Sequence, residues 1–388
     1  MVVRVGVAAV RAVGNRRGPS DPNLAQASTS QVRFHSMKSA DSGVSLRWPG
    51  KLEESAVLAG RLKRVRPGHP ASLLIEGDNL AAMMALGRRR VQATLAYLDP
   101  PFLTGRVHQQ VTRRRDEDTG RILRTTKHAF DDRWSDLGDY LGELRHRLLS
   151  ARALLCDEGS LVLHVDTKTS HYAKVLCDEV FGPRAFASEI VWRYRRWPSK
   201  TANFQRVHDV LLRYVRNPDA KPTFNQLYEP LAASTQSTWG TRKQRAVVGD
   251  DGRRVRSSKT EDSSPGAPLG DVWEIGIVAP VARERTGYPT QKPEALLERL
   301  VLSCTNPGDL VLDPYMGSGT TLAVCARLER RAIGIDANPD AVEMARNRLA
   351  SHGVTARVER AFAVAAERPI PALPEVARPV LGRERNVA

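Results

Sequence analysis

Cysteine is scarce: Cys156, Cys177, Cys304 and Cys325 are the only four in 388 residues. None forms a CxxC pair and none accompanies a histidine cluster, which excludes a disulfide framework and a zinc-finger ligand set. The four read as reduced, buried thiols, and no metal is expected. No apolar run approaches the ~18 residues that a membrane-crossing helix needs. Acidic residues are outnumbered, 43 Asp and Glu against 59 Lys and Arg, for a net charge of +16. Lysine is itself rare, 11 of those 59, so the surplus is arginine. An excess of this size calls for a polyanionic partner, and arginine suits bidentate contact with phosphate and guanine. The charge is uneven: between Trp192 and Lys259 stand 15 basic and 5 acidic residues, so one segment holds +10 of the +16.

At this length the chain can bury a full α/β core and carry an extra module. Residues 1–45 lack periodicity and are expected to be a disordered tail. The first 36 read as that tail, or as sequence upstream of a true start at Met37, in preference to a transit peptide. Ser72 to Glu76 reads as a strand ending in Gly77-Asp78-Asn79; a helix from Leu80 to Gly87 and a buried strand from Ala93 to Leu98 follow. This is the strand–helix–strand unit of a doubly wound parallel sheet. Residues 103–127 are polar and arginine-rich and read as a mobile loop. Helices are expected at Leu137 to Leu155 and Lys168 to Phe181, and strands at Leu161 to Val165, Glu189 to Arg193 and Val210 to Val215. Apolar periodicity fades over 217–285, which reads as an inserted, partly disordered basic module. It returns with a helix from Pro293 to Cys304, a strand from Leu310 to Leu312, a helix from Thr321 to Leu328, a strand from Ala332 to Asp336 and a helix from Ala341 to Leu349. Residues 366–388 are a Pro-rich tail.

Two strings carry the chemistry. Asp313-Pro314-Tyr315-Met316-Gly317-Ser318-Gly319-Thr320-Thr321 joins a strand to a helix. Its glycines allow close backbone approach to a ligand, and the helix start offers free N–H groups. A phosphate-binding loop needs a lysine after the last glycine, where Thr320 stands, and a dinucleotide fingerprint needs a third glycine, which is absent. Asp336 closes the next strand 17 residues after Gly319, where a carboxylate accepts ribose hydroxyls. A ligand with a ribose and no phosphate fits: S-adenosylmethionine. The other string, Asp99-Pro100-Pro101-Phe102, lies 214 residues earlier, after a buried strand. The exocyclic amine of a nucleobase is a poor nucleophile because its lone pair is conjugated with the ring. Accepting its N–H bonds draws the nitrogen towards tetrahedral geometry. Asp99 takes one, the Pro100 carbonyl, held by the rigid Pro100-Pro101 unit, takes the other, and Phe102 offers a face for a flipped base.

These strings resemble the DNA amino-methyltransferases that form N6-methyladenine or N4-methylcytosine. The resemblance runs from about residue 70 to 350 and includes Gly77-Asp78-Asn79-Leu80, His128 to Trp134, Gly159 to Asp166, His208-Asp209-Val210-Leu211 and Thr290-Gln291-Lys292-Pro293. The catalytic motif precedes the basic insert and the cofactor motif follows it. This is the permuted β-class order, shared by modification subunits of type III restriction systems and many solitary enzymes. The resemblance implies a circularly permuted α/β Rossmann-like sheet. Its parts would be a catalytic half at 46–216, a target-recognition insert at 217–285 and a cofactor-binding half at 286–365. It also implies that Asp78 and Asn79 contact the cofactor adenine, and that Lys292 lies near the methionine carboxylate. Asp313, Pro314, Tyr315 and Gly317 to Thr321 would seat the methionine end, and Asp336 the ribose. If Asp313 ends strand one and Asp336 strand two, Asp78 ends strand three and Asp99 strand four. Three positions depart from the family pattern: Leu103-Thr104-Gly105 stands where Asn-Thr-Gly is common, Phe102 where Tyr is usual, and Tyr315 where Phe is.

An aspartate in the first motif position favours adenine over cytosine, where serine is more usual. RNA and protein-glutamine methyltransferases carry asparagine there, and the intact cofactor set argues against an inactive DNA-binding relative. The implied partner is double-stranded DNA in a bacterial or phage cytoplasm. A separate restriction subunit and a homodimer are open, and no membrane is involved. The candidate DNA contacts are Arg113, Arg114 and Arg115, Arg195 and Arg196, and Arg242, Lys243, Arg245, Arg253 and Arg254 of the insert. The 103–127 loop is expected to close over the flipped base, and His164 reads as a structural histidine.

Overall fold

A ten-stranded sheet, ordered β1-β18-β2-β17-β16-β3-β6-β8-β7-β15, organises the computed structural model. The structure describes residues 45–48, 51, 59–66, 69–115, 120–198, 200, 202–239, 242–243, 246–256 and 261–364. The expected tails at 1–45 and 366–388 therefore lie outside the described residues, residue 45 excepted.

In chain order the first half comprises β1 (Ala59–Arg66), β2 (His69–Glu76), α1 (Asn79–Arg88), β3 (Ala93–Leu98), β4 (Val107–Arg115) and β5 (Ile122–Asp131). Then come α2 (Leu137–Ala153), β6 (Leu155–Val165), α3 (Ser170–Phe181), β7 (Phe186–Arg193) and β8 (His208–Val215). The second half has α5 (Glu294–Cys304), β16 (Leu310–Asp313), α6 (Thr320–Arg327), β17 (Arg331–Asp336), α7 (Pro339–Ser351) and β18 (Ala356–Val364). Between them lie β9 (Tyr228–Glu229), α4 (Ala233–Trp239), β10 (Arg242–Lys243), β11 (Ala246–Val248), β12 (Arg254–Arg256), β13 (Glu261–Ser263), β14 (Ala267–Pro268) and β15 (Val272–Glu274).

The strands from β18 to β6 run parallel, and β8 is antiparallel to both its neighbours. Each central strand is apolar on both faces because helices cover both. Leu73, Ile75, Leu98 and Leu163 pack with α1, α2 and α3. Leu74, Leu95 and Val162 point the other way, to α5, α6 and α7. Strand direction of winding reverses between β16 and β3: β17 and β2 lie on one side, β6 on the other. Ligands bind at such a switch point, beyond the carboxyl ends of the strands. Those ends carry the four carboxylates assigned to strand ends from sequence: Asp78 after β2, Asp336 on β17, Asp313 on β16 and Asp99 after β3.

One expectation is corrected, and two features not read in the sequence appear. Residues 103–127 are not a mobile loop: β4 and β5 pair in antiparallel register from Val107–Asp131 to Arg115–Ile122. The two stretches lack a sustained apolar alternation, so the sequence does not mark them as strands. The hairpin is tied down at its base, where His108 stacks on Phe130 at 4.4 Å and Asn338 Nδ2 donates to the carbonyls of His128 and Ala129 at 3.3 and 3.0 Å. The insert is a nested ribbon: β14 pairs with β9, β13 with β10 and β12 with β11, closing at a turn where the Gly249 N–H meets the Arg253 carbonyl. Its last strand, β15, extends the main sheet by pairing with β7. Finally, β1 and β18 join the far edge; the charges of β1 hide it as a strand. Among the described residues no helix is long and apolar enough to cross a membrane, and no group of three or more His, Cys, Asp or Glu is placed to hold a metal.

Candidate active site

The motif after β3 is held by a residue far from it in sequence. Asp132, 1% exposed, accepts the backbone N–H groups of Phe102, Leu103 and Thr104 at 3.2, 2.8 and 2.8 Å, the Thr104 hydroxyl at 2.6 Å and the Trp134 indole at 3.2 Å. This clamp bends the chain sharply: Leu103 sits at φ 58°, a left-handed conformation that side chains other than Gly and Asn resist. Asp132→Asn is expected to lose about 2 kcal/mol or more of stability, because an amide accepts fewer of these bonds and presents two donors to donors. A kcat deficit that persists at a temperature where the variant is folded would mark Asp132 as positioning the motif. Equal kcat in the two proteins would show that the turn holds without it.

Asp99 lies at the centre of a charged cluster. Lys292 Nζ is 2.7 and 2.5 Å from its two carboxylate oxygens and 5.0 Å from the Phe102 ring centre. His164 Nδ1 is 3.7 Å from Asp99 Oδ1 and 2.9 Å from the Tyr97 hydroxyl, while its Nε2 is 3.5 Å from Asp209 Oδ2. The His164 ring is fully buried against Phe102 and Trp192, each 5.5 Å away. Burial works to raise the Asp209 carboxyl, but hydrogen bonding and charge from His164 prevail and hold it below its usual range. His164 is thus structural in the sense expected, yet it belongs to the layer directly behind Asp99.

The second string forms the opposite wall. Gly317 has φ 48° and lies under the Tyr288 ring, where a Cβ would come within 2.9 Å; Gly319, at φ 75°, abuts Ala345, where a Cβ would come within 2.7 Å. Asp313 is 2% exposed and accepts the Tyr315 N–H at 3.0 Å. Burial pushes its carboxyl up to about 7. Asp336, also raised by burial, accepts the N–H groups of Gly317 and Asn338 at 3.0 and 2.8 Å. Asp78 caps α1 through the Ala81 N–H at 2.8 Å and meets Arg147 at 3.3 Å. Asn79 bridges the Pro314 carbonyl at 3.0 Å and Arg147 Nε at 2.7 Å. Thr320 Oγ1 donates to the Lys292 carbonyl at 3.2 Å, tying the loop before α5 to the glycine turn.

Asp99 to Phe102, Asp313 to Ser318, Thr320, Thr321, Asp78, Asn79, Lys292 and Asp336 line one cleft of about 360 Å³, with Gly319 set behind the turn against Ala345. Lys292 stands on Asp99, where the resemblance placed it beside a cofactor carboxylate. The DNA candidates lie elsewhere. Arg195 and Arg196 are exposed on the β7–β8 connection, Arg113 to Arg115 are on β4, Arg242 and Lys243 on β10, and Arg254 on β12. Arg253 is exposed beside Asp251, and Arg245 lies outside the described residues. Sequence reasoning missed the roles of Asp132 and His164. Asp132 stood in a quoted string, but only the fold brings it to the turn at Leu103.

Comparisons with known proteins give the family. A family model described as DNA methylase, for N6 and N4 methyltransferases, matches residues 93–347. The type II methyltransferase M.EcaI of Enterobacter cloacae is 28% identical over 365 residues, covering 79% of this chain and 78% of its own. The DNA adenine methyltransferase YhdJ of Escherichia coli K12 is 31% identical over 291 residues, covering 74% and 86%. Among solved structures, the M1.HpyAVI–SAM complex aligns with a TM-score of 0.44 at 20% identity over 71% of this chain and 98% of that one. With the family match spanning both motifs and the insert between them, the chain belongs to the N6/N4 DNA methylase family.

Proposed function

We propose that the protein transfers a methyl group from S-adenosylmethionine to N6 of an adenine flipped out of duplex DNA, within a specific sequence. The observation that carries this reading is one cleft with two unlike carboxylates: Asp99 beside a rigid Pro-Pro turn on one wall, and buried Asp313 under a glycine turn on the other. The residues present fit the cofactor. Asp313 is a buried acid suited to an ammonium, Asp336 retains acceptor capacity for ribose hydroxyls, and Gly317, where a Cβ would strike Tyr288, brings bare backbone to the cleft wall. When bound, the cofactor supplies an electrophilic methyl group on sulfonium.

The chain's own residues prepare the nucleophile. Asp99 accepts one amine N–H and the Pro100 carbonyl the other, which localises the nitrogen lone pair towards the methyl group. Phe102 stacks the base. Asp132 fixes the turn that carries these groups, and Lys292 and His164 fix Asp99. Adenine is favoured by the aspartate at position 99 and by the adenine specificity named for the E. coli relative. A separate restriction subunit is a proposed partner.

Expression of the chain, with an Asp99→Ala control, in a host free of adenine and cytosine methylation tests this directly. Modification-sensitive sequencing should find N6-methyladenine in one motif with the active chain only. N4-methylcytosine would overturn the base assignment, and unmodified DNA the substrate.

A further inference from the structure

The connection between β7 and β8 shows an unusual surface. Trp197 is 92% exposed and Phe204 97%, although large aromatic side chains are ordinarily buried at least in part. Residues 193–208 hold five Lys and Arg and no Asp or Glu. The root of this loop is rigid. Tyr194 N–H continues the β7–β8 ladder to the Val207 carbonyl at 2.8 Å, and the Tyr194 hydroxyl donates to Asp209 at 3.0 Å. Trp192 packs on Tyr194 at 4.9 Å and donates its indole N–H to the Ile275 carbonyl. Higher up, Gln205 Nε2 donates to the Trp197 carbonyl at 2.8 Å, which holds the two aromatic arms together.

The loop is also placed over the chemistry. Because β8 is antiparallel to β6, the end of β7 and the start of β8 lie at the sheet edge where β3 delivers Asp99. Asp209, His164 and Asp99 connect the root to the site in two contacts of 3.5 and 3.7 Å.

We infer that this loop is a wedge: on DNA, Trp197 and Phe204 enter the duplex at the target and stack in the space the flipped base leaves. The inference rests on the DNA-methylating reading above and adds how extrusion is sustained. Aromatic faces stack on any base without reading sequence, which suits a residue that replaces a base, and the surrounding cations meet the flanking phosphates. A second copy of this chain is a poor occupant for the same surface, since a chain of net charge +16 would set a basic loop against a basic partner.

The test uses the full chain and duplexes bearing the motif found by sequencing, with adenine at the target for kinetics and, in a separate binding assay, 2-aminopurine in its place, which lacks the 6-amine and reports extrusion alone. A Trp197→Ala/Phe204→Ala protein should bind S-adenosylmethionine normally and lose about 10- to 100-fold in kcat/KM on the paired duplex, with the 2-aminopurine signal reduced. On a duplex that lacks the base opposite the target, where extrusion costs little, the defect should shrink to about 3-fold or less. An equal loss on both duplexes would assign the loop to general DNA affinity and overturn the wedge, as would no loss on either. A wild-type dimer that the double variant dissociates would also overturn it. Failure of the wild-type protein to methylate any DNA would strike the function and not the loop alone.

Discussion

An Asp99→Asn protein should methylate DNA on the order of 10³-fold more slowly in kcat, with cofactor affinity changed little. The amide keeps the shape of the side chain but replaces a charged acceptor with a weaker one, and its NH₂ can face the amine donor to donor. The same change strands Lys292, whose side chain is 10% exposed and whose anionic partner is Asp99. Breaking such a pair costs about 3 kcal/mol, near the low end for buried ion pairs because the cleft leaves both groups in contact with solvent. Stability and catalysis are therefore lost together, and a second substitution separates them. Asp99→Asn/Lys292→Met should recover thermal stability towards wild type and none of the turnover. Recovery of turnover in the double variant would show that Lys292, not Asp99, limits the single variant, and would sink the assignment of Asp99 as amine acceptor. Single-turnover rates at saturating cofactor, beside melting curves, make the distinction.

The second large effect concerns Asp313, and its sign is opposite for stability and for binding. Burial holds this carboxyl at about 7 in the folded protein, against about 3.9 in an unfolded chain. Between those values the folded state keeps a proton that the unfolded state has released. This carboxyl's contribution to stability is therefore greatest below about pH 4, falls as pH rises towards 7, and is flat above. The full span corresponds to roughly 4 kcal/mol at about 1.4 kcal/mol per pH unit. Asp313→Asn removes the ionising group, so the free variant should melt several degrees higher than wild type at pH 8 and near it at pH 5. Cofactor affinity should move the other way. The methionine ammonium needs the ionised carboxylate, so wild-type binding should weaken about tenfold per pH unit below 7. The variant should bind about 10- to 100-fold more weakly at pH 8 and lose that pH dependence. Melting curves and calorimetric titration with S-adenosylmethionine between pH 5 and 8 measure both. A variant no more stable than wild type at pH 8 would show that the folded protein ionises Asp313 without cost.

Much of this site was legible because its parts are local. Buried strands announce themselves as continuous apolar runs, and each ends at a carboxylate with a recognisable successor: Asp99 before two prolines, Asp313 before a glycine turn. The four carboxylates assigned to strand ends lie at the carboxyl ends of adjacent strands, in the order β2-β17-β16-β3. What escaped is non-local or polar. Asp132 lies 28 to 30 residues from the N–H groups it holds, and Lys292 lies 193 from Asp99. No periodicity encodes either meeting. The β4–β5 hairpin and the edge strand β1 carry charge where a half-buried strand would carry alternate apolar residues, so they resemble loops. Leu103 is a different case. Its departure from the asparagine common in relatives was visible, but only the fold shows that the position demands a left-handed backbone.

The sheet order also sets a schedule for synthesis. β2 and β3 are made within thirty residues of each other, yet in the finished protein β17 and β16 lie between them. As the polypeptide leaves the ribosome, the Asp99 half appears first, with a slot two strands wide inside its sheet. The facing edges, Leu73 to Ile75 and Leu95 to Leu98, are apolar and lack hydrogen-bond partners until residues 310–336 arrive. Such edges invite pairing with other chains, and closing them joins segments more than two hundred residues apart, a slow step. A newly made molecule thus passes through a period in which it cannot methylate and is prone to aggregate, and its yield in the cell should depend on chaperones that cover that slot.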